Sequence, residues 1–211
     1  MEPFTELSAV AVPLAMDNID TDQIIPARFM RRSSRDGKSA LFFFHDLRFD
    51  ANGAEKPDCI FSRTEYRGAR LVVGGRNYGC GSARMGAVYS HFDYGIRAVI
   101  AHSFGDVFYN NCLKNGIVAA RVSADAIAQL HYTLSAVPGA KLTVDLANQT
   151  VSDSAGNVHT FEIDGFAKQC LLEGLSDIDL TLRMEPDITA FEQRYYESMR
   201  WLHRYVNRTV K

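Results

Sequence analysis

The sequence predicts an α/β fold built on a partly parallel sheet. Residues 68–122 run through short apolar stretches and helical patterns in the order β-α-β-α-β, the signature of parallel strands joined by crossover helices. Residues 141–163 switch to alternating strands separated by turn residues, which reads as an antiparallel hairpin. With 211 residues, 46% of them hydrophobic and 23% charged, the chain is long and apolar enough to bury a real core.

The elements follow in order. "LSAVAVPL" (7–14) has the small and apolar residues of a first strand. "NIDTDQIIP" follows, with Asp20 and Asp22 flanking Thr21 in a turn that Pro26 closes. Residues 30–40, "MRRSSRDGKSA", are polar and basic and read as a long exposed loop, a length that usually serves binding or mobility. "ALFFFHDLRF" (40–49) is apolar enough to pack, and "ANGAEKPD" (51–58) is a turn region. "GARLVVGG" (68–75) is a short strand ending in glycines. Residues 83–94, "ARMGAVYSHFDY", carry apolar residues at helical spacing, and Gly95 stands where a C-cap glycine belongs. "IRAVIAHSF" (96–104) is a buried-strand pattern, "GDVFYNNCLKNG" (105–116) a short helix and "IVAARV" (117–122) another strand.

"SADAIAQLHYTLSA" (123–136) is helical, and the hairpin turns at Asn148-Gln149 and again at Gly156-Asn157. "FAKQCLLEGL" (166–175) is a helix with a glycine near its end. The tail, 187–206, sets Ile188, Phe191, Tyr195, Met199, Leu202 and Val206 on one helical stripe. That stripe either packs on the rest of the chain or meets a partner, a second copy included, because so aromatic a face is costly to leave in water.

Bulk properties exclude several classes. The net charge of −2 offers no basic excess to neutralise a nucleic-acid backbone. The early apolar run "AVAVPLAM" is too short to span a bilayer and lacks a basic leader, so the expected setting is soluble and cytoplasmic. Cys59, Cys80, Cys112 and Cys170 form no CxxC pair and have no histidine at zinc-finger spacing, so they read as free thiols with no metal or cluster of their own.

The most informative stretch is "GRNYGCGSARMG" (75–86). A dinucleotide fingerprint would need a third glycine where Arg84 stands, and a P-loop would need Lys-Ser/Thr. What remains is a strand end, a glycine turn, and Ser82 and Arg84 at a helix start. A helix N-terminus presents free N–H groups and partial positive charge, and Arg84 adds a planar fork suited to carboxylates. Gly81 lets the backbone approach a ligand. Ser82 either caps the helix or turns its hydroxyl to a bound anion, where a positive field would let it move protons. The chemistry so far is a carboxylate or phosphate site.

These residues, with the rest of the chain, resemble the small subunit of 3-isopropylmalate dehydratase, which corresponds to the swivel domain of the aconitase superfamily. "VPLAMDNIDTDQIIPARF" is similar to the family's N-terminal D-T-D-x-I-I-P segment, and "NYGCGSAR" to its N-[FY]-G-C-G-S-S-R loop. "DYGIRAVIAHSFGDVFYNNCLKNGI" and "FEIDGFAKQCLLEGLSDIDLTL" are similar to two later signatures. The resemblance implies a single swivel domain (β/β/α layers) over residues 1–183 and a C-terminal helical extension over 184–211. It implies a hydro-lyase that isomerises 2-isopropylmalate to 3-isopropylmalate in leucine biosynthesis. Such an enzyme is active only with a large partner subunit, which holds a [4Fe–4S] cluster. The resemblance also implies roles: Ser82 as the catalytic base, Arg84 as the grip on a substrate carboxylate, Asp22 lining the site, and the stretch from Pro26 to about residue 44 sensing the substrate's side group.

The loop departs from the family's G-S-S-R-E-H-A at Ala83, Met85 and Gly86. Three readings follow: an ordinary isomerase with a tolerated variation, a paralogue for another hydroxy di- or tricarboxylate, or a non-catalytic carboxylate-binding subunit. Retention of Ser82, Arg84, Asp20 and Asp22 speaks against the last.

Overall fold

The computed structural model describes residues 1–32, 37–82, 84–199 and 201. Among them, seven strands form one mixed sheet: β1 (Glu6–Pro13), β2 (Leu71–Val73), β3 (Ala98–Ala101), β4 (Val118–Arg121), β5 (Lys141–Asp145), β6 (Thr150–Asp153) and β7 (Val158–Thr160). Their spatial order is β4-β3-β2-β1-β5-β6-β7. The pairs β1–β2, β2–β3 and β3–β4 are parallel, with Ala11 opposite Leu71, Leu71 opposite Ala98 and Ala98 opposite Val118. The pairs β1–β5, β5–β6 and β6–β7 are antiparallel, with Ala9 opposite Leu142 and Val144 opposite Val151.

The two halves differ as parallel and antiparallel sheets should. Every residue of β2 and β3 is buried, which is why their sequences are unbroken apolar runs. Strand β5 alternates buried and less buried positions, as one wetted face requires.

The helices are α1 (Thr21–Ile24), α2 (His45–Arg48), α3 (Met85–Tyr94), α4 (Asp106–Lys114), α5 (Ala124–Ala136), α6 (Gly165–Glu173), α7 (Asp177–Arg183) and α8 (Glu185–Ser198). Helices α3 and α4 are the crossovers β2→β3 and β3→β4. The stretch read as a long loop instead holds 3-10 turns at Ala27–Arg32 and Lys38–Phe42, and residues 33–36 lie outside the described residues. No described helix is long and apolar enough to cross a membrane.

The chain divides into two compact units, 1–174 and 175–211, nine residues before the 183/184 boundary read from the sequence. The first holds the sheet and the core, closed at its end by Met1, whose ammonium donates to the Gly174 carbonyl at 2.6 Å. The second holds α7, opened by a Ser176–Asp179 capping box, and α8. Helix α8 has no buried residue; Ile188, Phe191, Tyr195 and Met199 are exposed, and the Phe191 and Tyr195 rings stack at 5.7 Å. Leu202 and Val206 of the expected stripe lie outside the described residues.

Candidate active site

Strands β1 and β2 are parallel neighbours, so the segments leaving their C-terminal ends emerge side by side. That edge of a parallel sheet is where ligands bind in open α/β folds. The segment after β1 carries Asp17 to Ile24, and the segment after β2 carries Gly74 to Arg84.

A ladder of polar contacts ties the two together. Asn18 N–H donates to the Arg76 carbonyl at 2.8 Å, and the Asn77 side-chain amide donates to Asn18 Oδ1 at 3.0 Å. Gly79 N–H donates to the Ile19 carbonyl at 2.7 Å, and Thr21 N–H to the Cys80 carbonyl at 2.9 Å. The buried Thr21 hydroxyl then donates to the Ser82 carbonyl at 2.8 Å. Thr21 thus fixes the backbone of Ser82, while Ser82 itself is exposed.

Asp20 is occupied locally. Its carboxylate accepts from Asp22 N–H at 2.7 Å and Gln23 N–H at 2.9 Å, and Asp20 N–H donates to Gln23 Oε1. This capping box starts α1 and leaves Asp22 as the outward acid of the Asp20-Thr21-Asp22 trio. Asp22 accepts from the Arg84 guanidinium, whose side chain is only 13% exposed against 50% for Asp22. An arginine with one N–H engaged keeps further donors in its fork for a second carboxylate.

Ser82 does not cap the helix. Helix α3 begins at Met85, with Arg84 in the cap position and extended at φ −119°, so the start predicted at 83 moves on two residues. Arg84, not Ser82, holds the extended backbone of a cap residue, and no side chain caps this helix. Arg84 therefore stands at the positive end of a ten-residue helix, close in sequence to an exposed serine. Where the family's loop carries a Glu-His pair after the arginine, this chain places Met85, whose sulfur accepts from the Asn115 amide at 3.4 Å, and a buried Gly86.

The glycines act as the loop's geometry requires. Gly79 and Gly81 both have left-handed backbones, φ +73° and +87°. A Cβ on Gly79 would overlap the Phe108 ring, and one on Gly105 would lie 2.6 Å from the Gly79 carbonyl oxygen. At Gly81 a Cβ would meet only ordinary contacts, 3.4 Å to Asp20 Cβ, so its constraint is the backbone angle. Burial and then the nearby Asp20 carboxylate push the Cys80 thiol up, so it stays protonated near neutral pH. Cys59, Cys112 and Cys170 are buried. Among the described residues no three His, Cys, Asp or Glu side chains converge to hold a metal.

The structure thus brings Ser82, Arg84, Asp22 and Gly81 onto one edge. Sequence reasoning missed Thr21, the pin between the segments, and the buried pair Tyr78–His91 beneath the loop. The signals were present: a threonine between two aspartates, and a histidine on the buried face of the helix following Tyr78.

A sheet of this topology, carrying an arginine, an exposed serine and an acid at the ends of β1 and β2, defines an aconitase-type swivel domain with an edge suited to carboxylates. A family model described as "Aconitase C-terminal domain" matches residues 1–125 and one described as "LeuD_N" matches 129–165. A third, for the C-terminal domain of the 3-isopropylmalate dehydratase small subunit, matches 177–204. The chain is 43% identical over 202 residues to the 3-isopropylmalate dehydratase small subunit of Dinoroseobacter shibae, covering 96% of this chain and 100% of that one. It is 44% identical to that of Paramagnetospirillum magneticum, with the same coverage, and 42% identical over 205 residues to that of Leptospira interrogans, covering 96% and 99%. A crystal structure of 3-isopropylmalate dehydratase (leuD) from Methanocaldococcus jannaschii shares the fold, with TM-score 0.64 at 24% identity over 89% of this chain and 99% of that one. This chain belongs to the family of 3-isopropylmalate dehydratase small subunits.

Proposed function

We propose that this chain completes the active site of a two-subunit hydro-lyase that interconverts 2- and 3-isopropylmalate, a step of leucine biosynthesis. The observation that carries the reading is the convergence of Asp22 and Arg84, 62 residues apart in sequence, on the open edge that also holds Ser82. The dehydration removes a proton from the carbon next to a carboxylate and expels the hydroxyl, giving an ene-diacid and water; the reverse addition places the hydroxyl on the neighbouring carbon. A [4Fe–4S] cluster held by the large partner subunit would supply the Lewis acid that draws off the hydroxyl.

In this chain, Ser82 takes and returns the carbon-bound proton. Arg84 and the N-terminus of α3 supply the positive field that stabilises the serine's oxyanion. Arg84 also holds a substrate carboxylate through donors that Asp22 leaves free, while Asp22 fixes the fork's orientation. Gly81 lets the substrate approach the backbone.

The test is turnover of 2-isopropylmalate by this chain mixed anaerobically with its cluster-loaded large subunit, followed through ene-diacid absorbance. Ser82→Ala should lower kcat by about 10²–10⁴-fold while the subunits still associate; unchanged kcat would remove Ser82 from the role. A panel of other hydroxy di- and tricarboxylates in the same assay reads the second possibility, a different substrate, which the departure at Met85 and Gly86 motivates.

A further inference from the structure

We infer that His91, acting through Tyr78, is a positioning residue that locks the Ser82 loop to helix α3 and to the segment of Phe43 and Phe44; the catalytic part of this inference rests on the function proposed above. Tyr78 and His91 are both fully buried, and the Tyr78 hydroxyl lies 2.8 Å from His91 Nε2. His91 Nδ1 lies 2.7 Å from the Ala87 carbonyl. A carbonyl only accepts, so Nδ1 carries the proton, Nε2 is the acceptor, and the Tyr78 hydroxyl donates.

One imidazole therefore ties helix α3 to the loop before Ser82 and to the rings of Phe43 and Phe108. Through Nδ1 it holds the first turns of α3, the helix that Arg84 starts. Through Nε2 it holds Tyr78, the residue before Gly79-Cys80-Gly81-Ser82. Its ring packs edge-on against Phe43 at 4.8 Å and lies 5.4 Å from Phe108, the ring that fills the space beside Gly79. Phe44, within 6.3 Å of the same ring, donates its N–H to the Ile24 carbonyl at the end of α1, two residues after Asp22.

A phenol at position 78 brings a buried hydroxyl that must be paired, and His91 pairs it. A satisfied pair in a dry core holds one arrangement; removing one partner leaves the other buried and unpaired, whereas replacing both with apolar groups removes the conflict. The lock sits under Ser82 rather than on the substrate, so its loss moves kcat more than KM.

The experiment is a double-mutant cycle in the assembled two-subunit enzyme: Tyr78→Phe, His91→Leu and both together, with Ser82→Ala as control. Two readouts are taken on variants that unfold cooperatively: kcat and KM for 2-isopropylmalate, and amide exchange of peptides spanning residues 79–84. Each single variant should lower kcat by about tenfold or more with KM little changed, and speed loop exchange by about tenfold. The double variant should return both toward wild type. Wild-type loop exchange in folded Tyr78→Phe overturns the inference, and so does a double variant as damaged as the singles, which would reveal a packing defect alone. If Ser82→Ala keeps full activity the proposed role of Ser82 fails, and loop exchange still decides whether the lock exists.

Discussion

Acid should loosen this protein through His91 in a defined pH window. The imidazole is fully buried, and burial pulls its pKa down from 6.5 to about 4, against a smaller opposing pull from the Ala87 carbonyl. The unfolded chain therefore takes up this proton near pH 6.5 and the folded chain only near pH 4. Between those values the unfolded state binds more protons, so stability falls as pH falls; above pH 6.5 the histidine contributes no slope. A gap of about 2.5 units at 1.36 kcal/mol per unit gives about 3 kcal/mol lost across the window. In a domain of this size that lowers Tm by about 6–12 °C. His131, also pulled down by burial, adds slope of the same sign. Asp145, held low by the Asn148 N–H groups, loses its contribution only below the ordinary carboxylate pKa of 3.8, beneath this window. The assay is urea unfolding at half-unit steps from about pH 4 to 7.5, on wild type and on His91→Leu. The leucine variant sits at a lower absolute stability because the Tyr78 hydroxyl loses its acceptor, but its slope should be shallower by most of that roughly 3 kcal/mol. Equal slopes in the two proteins would refute the assignment of a buried, neutral His91.

Other outcomes follow from the same geometry. Gly79→Ala must hold a left-handed backbone and push aside the Phe108 ring, so it should cost about 3 kcal/mol or more in urea unfolding; a cost under about 1 kcal/mol would mean the loop relaxes. Asp20→Ala removes both cap bonds to α1 and should cost about 1–2 kcal/mol by the same measurement. Arg84→Lys keeps the charge but loses the planar fork, so one ammonium must serve both Asp22 and the substrate carboxylate. Its KM should rise at least about tenfold, the equivalent of 1.4 kcal/mol of binding, and an unchanged kcat/KM would rule out a bidentate grip.

The parallel half of the sheet was legible because its strands are buried on both faces. "RLVV", "AVIA" and "VAAR" are largely apolar runs, and the helical patterns between them are long enough to show a period. The hairpin showed in the alternation of β5 and β6. What stayed hidden was short. Helices α1 and α2 have four residues each, too few for any periodic signal; a capping box holds α1, and hydrogen bonds from Leu47 and Arg48 to the Phe44 and Phe43 carbonyls hold α2. Ser82 is the right residue type for a cap, but the helix starts only at Met85, with Arg84 in the cap position. The pairing of Asp22 with Arg84 depends on β1 lying beside β2, a contact that spacing along the chain does not reveal; the resemblance to a known family singled out both residues, and the sheet explains why they meet.

The same edge explains why this chain should need a partner. Ser82, Gly81 and Asp22 are exposed, and the Arg84 side chain, paired with Asp22, is largely buried. A serine hydroxyl is a poor base in water; it becomes a useful one only where its oxyanion meets fixed positive charge in a dry site. The fixed charge is present in Arg84 and the start of α3, but the dryness is not, because an edge open to solvent screens both. Nor can one guanidinium hold both carboxylates of a dicarboxylate substrate while Asp22 occupies part of its fork. On the function proposed above, a second surface would bring the remaining cations, exclude water and carry off the hydroxyl. The positive field of this edge is weak in the isolated chain for the same reason that it becomes effective when covered: the charges do not move, and only the dielectric around them changes.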